Sequence, residues 1–373
     1  MRARASAGTR RVYLHVGAPK TGTTYLQARL FANVASLARH GFLVPHEPWW
    51  SGRGELHFRA ALDLLDEDWG GPPGHARGAW EHVARQVRRH HGPAVITHEL
   101  LAPAPAELVA RVMADVGDAE VHIVYTARDP ARLLPSAWQE AVKQGRAMRF
   151  AKFLRRARAG RLWFARAFDM PSVLGTWGAG LPPDRIHVVT VPRSGSDPDL
   201  LWHRFCAALD IDPAWAPEVP KRRNESLGIA ETQVLRLLNR RLEQRGDHRY
   251  RHVVKDLIAQ QALARRASLP VRLPPDQHEW VAGLASGWID WAKDAGVHVI
   301  GDLDDLRPQA PDPEVVWADP DRFRPRKFRD AALDALAEAV RVAAERDDQQ
   351  SLEGKLRRAR ERATGLVGRR RDG

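Results

Sequence analysis

The sequence predicts an α/β protein: a doubly wound, mostly parallel sheet flanked by helices, with additional helices towards its carboxyl end. The first observation is an apolar run, 11–16 (RVYLHV), followed by the small-residue loop 17–24 (GAPKTGTT) and a helical pattern over 25–37. The second is the β-branched and aromatic run 121–126, which leads into a helical pattern near Pro130. Strands that alternate with helices in this way indicate parallel βαβ units.

Apolar runs and amphipathic periodicity place the remaining elements. Three runs predict further strands and a fourth predicts a late strand or packed loop: 41–45, 94–97, 185–191 and 296–306. Helical patterns occupy 76–91, 105–116, 166–178, 198–209 and 228–244. A Pro-rich stretch, 307–321, predicts a linker to a helix that starts near Arg329. We therefore expect a flexible basic N-terminus over 1–10, one domain over 11–306, and a linker with a basic C-terminal helix over 307–373.

The loop 17–24 has the composition of an anion-binding site. A helix follows it directly, and a helix N-terminus carries unpaired N–H groups and a partial positive charge. Gly17 and Gly22 allow close backbone approach or a positive φ, while Lys20 adds a full positive charge. Hydroxyl donors come from Thr21, Thr23 and Thr24. The glycine spacing is that of a nucleotide P-loop, but Thr23 stands where that motif has its lysine.

A second anion site is predicted where the strand 121–126 ends. Arg128 follows that strand, and open α/β sheets bind ligands at the carboxyl ends of their strands. Ser136 lies about two helical turns further on. A guanidinium and a hydroxyl can together hold a phosphate monoester. The sequence therefore predicts a site with two separate anion-binding ends.

Both motifs resemble those of the sulfotransferases that use 3′-phosphoadenosine 5′-phosphosulfate, in their bacterial form. The string PKTGTT is similar to their 5′-phosphosulfate loop, and Arg128, Pro130, Arg132 and Ser136 match the pattern that binds the 3′-phosphate. The resemblance covers about 11–140 and continues more weakly to about 306. It implies a fold related to P-loop kinases, and an enzyme that transfers the sulfuryl group to a hydroxyl, or as the weaker alternative an amine. No metal is implied.

The resemblance also implies roles for particular residues. Lys20 neutralises charge on the leaving oxygen, and Arg128 with Ser136 holds the 3′-phosphate. The 5′-phosphate is held by the loop residues Pro19, Lys20, Thr21, Gly22, Thr23 and Thr24. In the segment 221–227 (KRRNESL), Arg222 and Arg223 correspond to a late basic stretch that closes over the cofactor. The Arg-Lys-Gly triplet of cytosolic enzymes is missing there, and a solvated basic turn is an equal alternative.

The catalytic base has two candidates, His98 and Glu99. They follow the strand 94–97, and cytosolic sulfotransferases carry a catalytic histidine after a corresponding strand, whereas many bacterial relatives use a glutamate. A histidine near its ordinary pKa can take a proton at neutral pH, and a glutamate can do so in an apolar site. Because successive strand side chains point to opposite faces, we expect only one to face the sulfuryl group. The motif modestly favours His98.

The acceptor is a carbohydrate, a lipid or another small molecule in this interpretation. The segment 46–80 is rich in Pro, Gly, Trp and His and interrupts the βαβ spacing, so we expect an insertion there. Together with 143–168 it is a candidate lining of the acceptor pocket. Its tryptophans suit stacking on a sugar, and they suit packing of the insertion onto the domain equally well.

Composition bounds the other possibilities. The net charge of +12, from 58 Lys and Arg against 46 Asp and Glu, raises a nucleic-acid-binding alternative, and the loop raises a small-molecule kinase. We expect neither, because two phosphate motifs stand at strand ends and Thr23 replaces the kinase lysine. The one cysteine, Cys206, and the absence of an apolar signal or membrane segment predict a cytoplasmic protein. The basic C-terminus is a candidate for peripheral membrane contact, and the oligomeric state stays open.

Overall fold

A computed structural model describes residues 10–47, 55–69, 71–220, 227–242, 263, 268–311 and 314–350. By the clustering of their contacts, these residues belong to two compact units. The larger unit contains Met1–Ala141, Met148–Asn224 and Val271–Asp319, and the smaller contains Val142–Ala147, Glu225–Pro270 and Pro320–Gly373. No helix in the described parts of the chain is both long and apolar enough to cross a membrane.

The chain alternates strands with helices for most of its length. The strands are β1 (Arg11–Gly17), β2 (Ala94–Thr97), β3 (Glu120–Ala127), β4 (Ile186–Thr190) and β5 (His298–Ile300). The helices of the first half are α1 (Thr23–Ala32), α2 (Val34–Arg39), α3 (Glu55–Leu65), α4 (Ala79–Arg89), α5 (Ala106–Val116), α6 (Pro130–Lys143), α7 (Phe150–Arg158), α8 (Trp163–Phe168) and α9 (Met170–Trp177). Those of the second half are α10 (Leu200–Ala208), α11 (Ile229–Arg241), α12 (His278–Asp294) and α13 (Pro325–Gln350).

The five strands form one all-parallel sheet in the order β2-β1-β3-β4-β5. From β1 the chain passes to β2 on one side, and it then passes to β3 on the other side of β1. The direction of the connections therefore reverses between β1 and β3. That reversal is the topological switch point, and open α/β sheets bind ligands at the carboxyl ends of the strands beside it. The α/β class is confirmed, and the loop 17–22 and Arg128 follow the two strands on either side of the switch point.

Helices cover both faces of the sheet, which is consistent with the doubly wound arrangement. One face buries α1, α2 and α10 in a cluster that includes Leu26, Leu30, Val124, Trp202 and Phe205. On the other face α9 packs against β3. There the Tyr125 hydroxyl donates to the Ala167 carbonyl at 2.9 Å, and burial raises its pKa well above the ordinary value. Strands buried on both faces explain their near-continuous apolar sequences.

Three elements differ from the sequence predictions. The helix expected over 25–37 divides into α1 and α2 at Asn33, whose side-chain amide donates to the carbonyls of Arg29 and Glu218. The strand expected over 41–45 is only a single bridge between Leu43 and Ala94, since Pro45 has no N–H to continue a ladder.

The third difference is a break in the helix expected over 166–178. It divides into α8 and α9 at Asp169, where ψ is 81°. Pro171 lies within the first turn of α9, and it has no N–H for the carbonyl of Ala167 four residues earlier. That carbonyl accepts from Tyr125 instead, so the break leaves the group satisfied.

The smaller unit contains the late helices α11 and α13. Gln233 of α11 donates to the carbonyls of Pro320 and Arg322, and Asn239 donates to those of Val142 and Arg146, all at 2.7–2.9 Å. Buried amides with two acceptors fix a helix against irregular backbone. Residues 307–311 and 314–321 form bends and turns, and α13 begins four residues before the predicted start at Arg329. Residues 1–9 and 351–373, which include the predicted N-terminal and basic C-terminal ends, lie outside the described residues.

His57 connects α3 to the end of β2 and is buried in the neutral form. Its Nε2 donates to the Pro45 carbonyl at 2.7 Å, while its Nδ1 accepts from the Thr97 N–H at 3.0 Å. Burial lowers its pKa from 6.5 to about 4. Below pH 6.5 His57 becomes protonated in the unfolded chain but stays neutral in the folded chain. The free energy of unfolding therefore decreases as the pH drops from 6.5 towards 4.

We predict that His57→Gln makes thermal stability less dependent on pH. At pH 5 the protonation of this histidine in the unfolded chain costs the wild type about 2 kcal/mol. The melting temperature measured at pH 7.5 and at pH 5 should therefore fall less in the variant than in the wild type. The control is His82→Gln, at an exposed position on α4, which should fall as the wild type does. An equal fall in all three proteins would contradict the neutral assignment.

Candidate functional site

The loop after β1 turns sharply away from the sheet at Gly17. Gly17 has a φ of 93°, and the register between β1 and β3 shifts between His15 and Gly17. A Cβ at this position would lie 2.7 Å from the Cβ of Glu99. The loop stays attached to β3 because the Ala18 N–H donates to the Thr126 carbonyl at 3.1 Å. Only glycine allows both the left-handed backbone and the contact with Glu99.

The backbone of the loop presents a set of unpaired N–H groups. Lys20 and Gly22 also have positive φ values, 65° and 91°, and α1 begins immediately afterwards without a side-chain cap. Among the described residues, none accepts a hydrogen bond from the N–H groups of residues 20–24. These donors and the positive end of the α1 dipole make residues 20–24, called the cradle below, a candidate anion site.

The threonines of the loop divide into two groups. The Thr21 side chain points inwards: its hydroxyl donates to the Ala18 carbonyl at 2.6 Å and contacts the Thr126 hydroxyl, so only its backbone N–H remains for a ligand. Its role is to hold the loop. Thr23 and Thr24 carry hydroxyls that have no partner in the described parts of the chain, so both are available to a ligand. Pro19 is buried behind the loop.

Arg128 lies directly beside the cradle. Its Nη1 donates to the Lys20 carbonyl at 3.1 Å, and its Nε is buried without a hydrogen-bond partner among the described residues. Burial, together with repulsion from Arg132, lowers its pKa to about 10. A buried cation with an unused donor is costly unless an anion satisfies it. The guanidinium thus fits a ligand that carries a negative group next to the loop.

The remaining residues of the second motif are partly committed to the start of α6. Asp129 accepts from the Arg132 N–H at 3.0 Å as a helix cap and also pairs with the Arg132 guanidinium. Arg132 therefore holds Asp129 at the start of α6. The Ser136 hydroxyl donates to the Arg132 carbonyl at 2.9 Å, so its proton has to turn away from that carbonyl before it can donate to a ligand.

Lys20 forms an ion pair that the sequence did not predict. Its ammonium lies 3.1 Å from the carboxylate of Glu140, one turn beyond Ser136 on α6. Both side chains are mostly shielded, with 29% of Lys20 and 17% of Glu140 exposed. The pair holds the Lys20 ammonium against α6 and so fixes the loop to that helix.

The two candidate bases have different environments. Glu99 lies against Gly17 and accepts from the Gln27 amide of α1 at 3.0 Å, so its carboxylate stands at the loop. The Nδ1 of His98 accepts from the Leu100 N–H at 3.2 Å and caps a short 3-10 turn, and its ring packs 5.4 Å from Phe58 of α3. The structure places Glu99, and not His98, against Gly17 of the loop and Gln27 of α1.

The protonation of each candidate follows from these contacts. Burial lowers the pKa of His98, and an imidazole whose Nδ1 accepts a hydrogen bond in its neutral form carries its proton on Nε2. Burial alone would raise the pKa of Glu99, but the neighbouring His98 and the Gln27 hydrogen bond outweigh it, and the pKa lies below its ordinary value. Glu99 is thus an ionised acceptor at neutral pH, whereas His98 offers a donor.

A buried row of polar side chains beneath the loop joins the ends of three strands. The Nδ1 of His15 lies 2.7 Å from the Thr97 hydroxyl and its Nε2 lies 3.5 Å from that of Thr126. Thr126 continues to Thr21, and Thr97 lies 3.4 Å from Gln27. Burial lowers the pKa of His15 to about 4, so the ring is neutral. Sequence reasoning missed this row, and the one signal of it was a histidine inside the apolar run 11–16.

The other predicted site residues have mixed outcomes. Arg222 and Arg223 lie outside the described residues, as does the tryptophan pair at 49–50. Within the predicted insertion, α3 and the start of α4 form a helical pair. Its His57 is buried against β2, and Trp69 packs on Phe58, which in turn contacts His98. The insertion therefore lies against the end of β2.

Comparison of the chain with profiles of known protein families, with curated proteins and with solved structures finds no match. Among the described residues, no group of three or more His, Cys, Asp or Glu side chains is arranged to hold a metal ion.

We predict that Gly17→Ala distorts the site, whereas Gly41→Ala does not. Both glycines have a positive φ, 93° and 78°, so each variant bears backbone strain of about 1 kcal/mol or more. Only at position 17 does the new methyl group meet Glu99, since nothing lies within 4 Å of a Cβ at position 41. The difference should appear as a larger loss of melting temperature and changed amide shifts at Glu99. Equal losses would show that the contact with Glu99 is unimportant.

Proposed function

We propose that this protein is a sulfotransferase of the P-loop-like type, and that it uses 3′-phosphoadenosine 5′-phosphosulfate. The observation that carries the proposal is the pairing of two anion-binding features at one switch point. The cradle 20–24 offers unpaired N–H groups, and Arg128 beside it has a buried Nε without a partner. A donor with phosphates at both its 5′ and 3′ positions satisfies both features. The lone buried thiol of Cys206 suits a reducing, cytoplasmic setting.

The loop and α6 divide the recognition of the donor in this proposal. The N–H groups of the loop and the hydroxyls of Thr23 and Thr24 bind the 5′-phosphate. Arg128 binds the 3′-phosphate, and Ser136 joins it once its hydroxyl leaves the Arg132 carbonyl. Arg132 holds Asp129 and supports this end of the site without touching the donor. Lys20 leaves Glu140 and donates to the oxygen that bridges phosphorus and sulfur.

Glu99 is the base in this proposal. Its carboxylate is ionised and lies beside Gly17 of the loop, where it can take a proton from an acceptor. His98 already uses Nδ1 as the acceptor for Leu100, and its other nitrogen carries a hydrogen. His98 would have to give up the cap of the 3-10 turn before it could take a proton from the acceptor.

The reaction balances with these residues alone. The donor supplies a sulfuryl group on a phosphate leaving group. The acceptor oxygen forms a bond to sulfur while the bond between sulfur and the bridging oxygen breaks, and the acceptor proton moves to Glu99. Lys20 stabilises the negative charge that develops on the bridging oxygen. Positioning and charge stabilisation by fixed groups are the main requirements of such an in-line displacement.

We predict that adenosine 3′,5′-bisphosphate raises the melting temperature of the wild type by several degrees at saturation. ATP with Mg²⁺ should stabilise it less, because ATP has no 3′-phosphate for Arg128. Loss of charged hydrogen bonds in Arg128→Gln should weaken bisphosphate binding about 10- to 100-fold. Arg111→Gln, on the exposed side of α5, is the matched control and should bind as the wild type does. Stabilisation by ATP and not by the bisphosphate would favour a kinase and overturn the proposal.

We predict opposite outcomes at the two candidate bases. Glu99→Gln keeps the hydrogen bond with Gln27 but cannot take a proton, so transfer should fall about 100- to 10,000-fold. His98→Asn keeps a side chain that can cap the 3-10 turn, and transfer should stay within a few-fold of the wild type. The measurement is transfer of radiolabelled sulfate to an acceptor identified in a panel of sugars, glycolipids and phenols. The reverse result would make His98 the base.

A further inference from the structure

Every charged side chain on the outer face of α7 is basic. The stretch 141–168 contains no Asp or Glu, although the chain as a whole has 46 of them. The basic face is the set of exposed cationic side chains on α7 and at its two ends: Arg149, Lys152, Arg155, Arg156, Arg158 and Arg161. The opposite side of the same helix is apolar and buried, through Phe150, Phe153, Leu154 and Ala157.

The basic face lacks the ion pairs with acidic side chains that occur on α4 and α13. In the described parts of the chain, none of its six side chains forms an ion pair with Asp or Glu, and Arg158 instead lies over the ring of Trp280. On α4, by contrast, Glu81 pairs with Arg85 and Arg88, and on α13 Glu338 pairs with Arg341. A helix C-terminus favours cations, but that accounts only for the last turn of α7. The charge is therefore available to an external anion.

Contacts between aromatic groups attach the start of α7 to the helix that carries the second anion site. The Trp138 indole of α6 donates to the Met148 carbonyl at 2.9 Å, and its ring lies 5.0 Å from Phe150. Two residues further along α6, Glu140 holds Lys20. The basic face thus begins beside α6, the helix whose Glu140 pairs with Lys20.

We propose that the basic face binds an anionic carbohydrate chain and so presents a hydroxyl of that chain to the site. This inference rests on the proposed function, because it names the acceptor class of that same reaction. Arginine forks match carboxylate and sulfate groups in bidentate geometry, and five of the six cations are arginines. The nine residues of α7 extend over about 13 Å, which suits a linear chain with repeated charges.

The same residues argue against a lipid surface or a nucleic acid as the partner. A helix that lies in a membrane interface inserts its apolar side chains, whereas those of α7 are buried in the protein. No large apolar or aromatic side chain between residues 148 and 168, a stretch described throughout, is exposed for insertion or for base stacking. A carbohydrate supplies the hydroxyls that the proposed reaction consumes.

The test compares two triple variants that lose the same charge. The first variant neutralises the centre of the basic face with Lys152→Gln, Arg155→Gln and Arg156→Gln. It leaves the contact of Phe150 with Trp138 and that of Arg158 with Trp280 unchanged. The matched control combines Arg77→Gln, Arg85→Gln and Arg89→Gln, at exposed positions on and just before α4. Binding to heparin and to polygalacturonate is measured for each full-length protein at physiological salt, beside neutral dextran, anionic phosphatidylserine vesicles and duplex DNA.

We expect the wild type and the control to bind both polyanionic carbohydrates, and the α7 variant to bind them about tenfold more weakly with a shallower salt dependence. Equal binding by all three proteins would overturn the inference, and so would tighter wild-type binding to vesicles or DNA than to the polysaccharides. Stabilisation by adenosine 3′,5′-bisphosphate is measured in parallel and should be equal in the α7 variant and the wild type. A wild type that binds polysaccharide but not bisphosphate would refute the proposed reaction alone.

Discussion

The arrangement of the site depends on one buried hydrogen-bonded row that crosses three parallel strands. His15 in β1 connects Thr97 of β2 with Thr126 of β3, and Thr126 in turn holds Thr21 of the loop. A neutral imidazole can donate at one nitrogen and accept at the other, so it satisfies hydroxyls on both sides without a buried charge. Because these strand ends also carry Glu99 and Arg128, a displacement of the row would move the candidate base, the cradle and the second anion site together.

Much of this site is visible in the sequence because phosphate recognition uses local segments. The loop 17–24 and Arg128 each follow a strand, and parallel strands bring their carboxyl ends to one edge. The partners of these residues come from distant segments, and no local pattern reports them. Glu140 meets Lys20 only because α6 turns that position towards the loop. His15 meets Thr126 only because of the register between β1 and β3. The alternation argument for His98 and Glu99 was incomplete, because β2 ends at Thr97 and a 3-10 turn follows.

The fold was predictable to a similar degree. Apolar runs predicted β1 to β4 as strands, since a strand covered by helices on both faces is apolar along most of its length, whereas the run that contains β5 predicted a late strand or a packed loop. The errors occur where one side chain or one missing N–H overrides the periodicity, as at Asn33, Pro45 and Pro171. The insertion 46–80 illustrates the same limit. Its composition suggested surface function, whereas His57 within it makes two hydrogen bonds to the backbone and fixes α3 to the end of β2.

The ion pair between Lys20 and Glu140 also has a consequence for selectivity. An incoming anion does not meet a free ammonium but competes with a carboxylate that is already 3.1 Å away and held on a helix. Chloride or a single weakly held phosphate gains little by displacing it. A ligand anchored at two separate points gains enough from its other contacts to do so. In the proposed function, the pair therefore acts as a threshold that favours ligands long enough to reach both ends of the site.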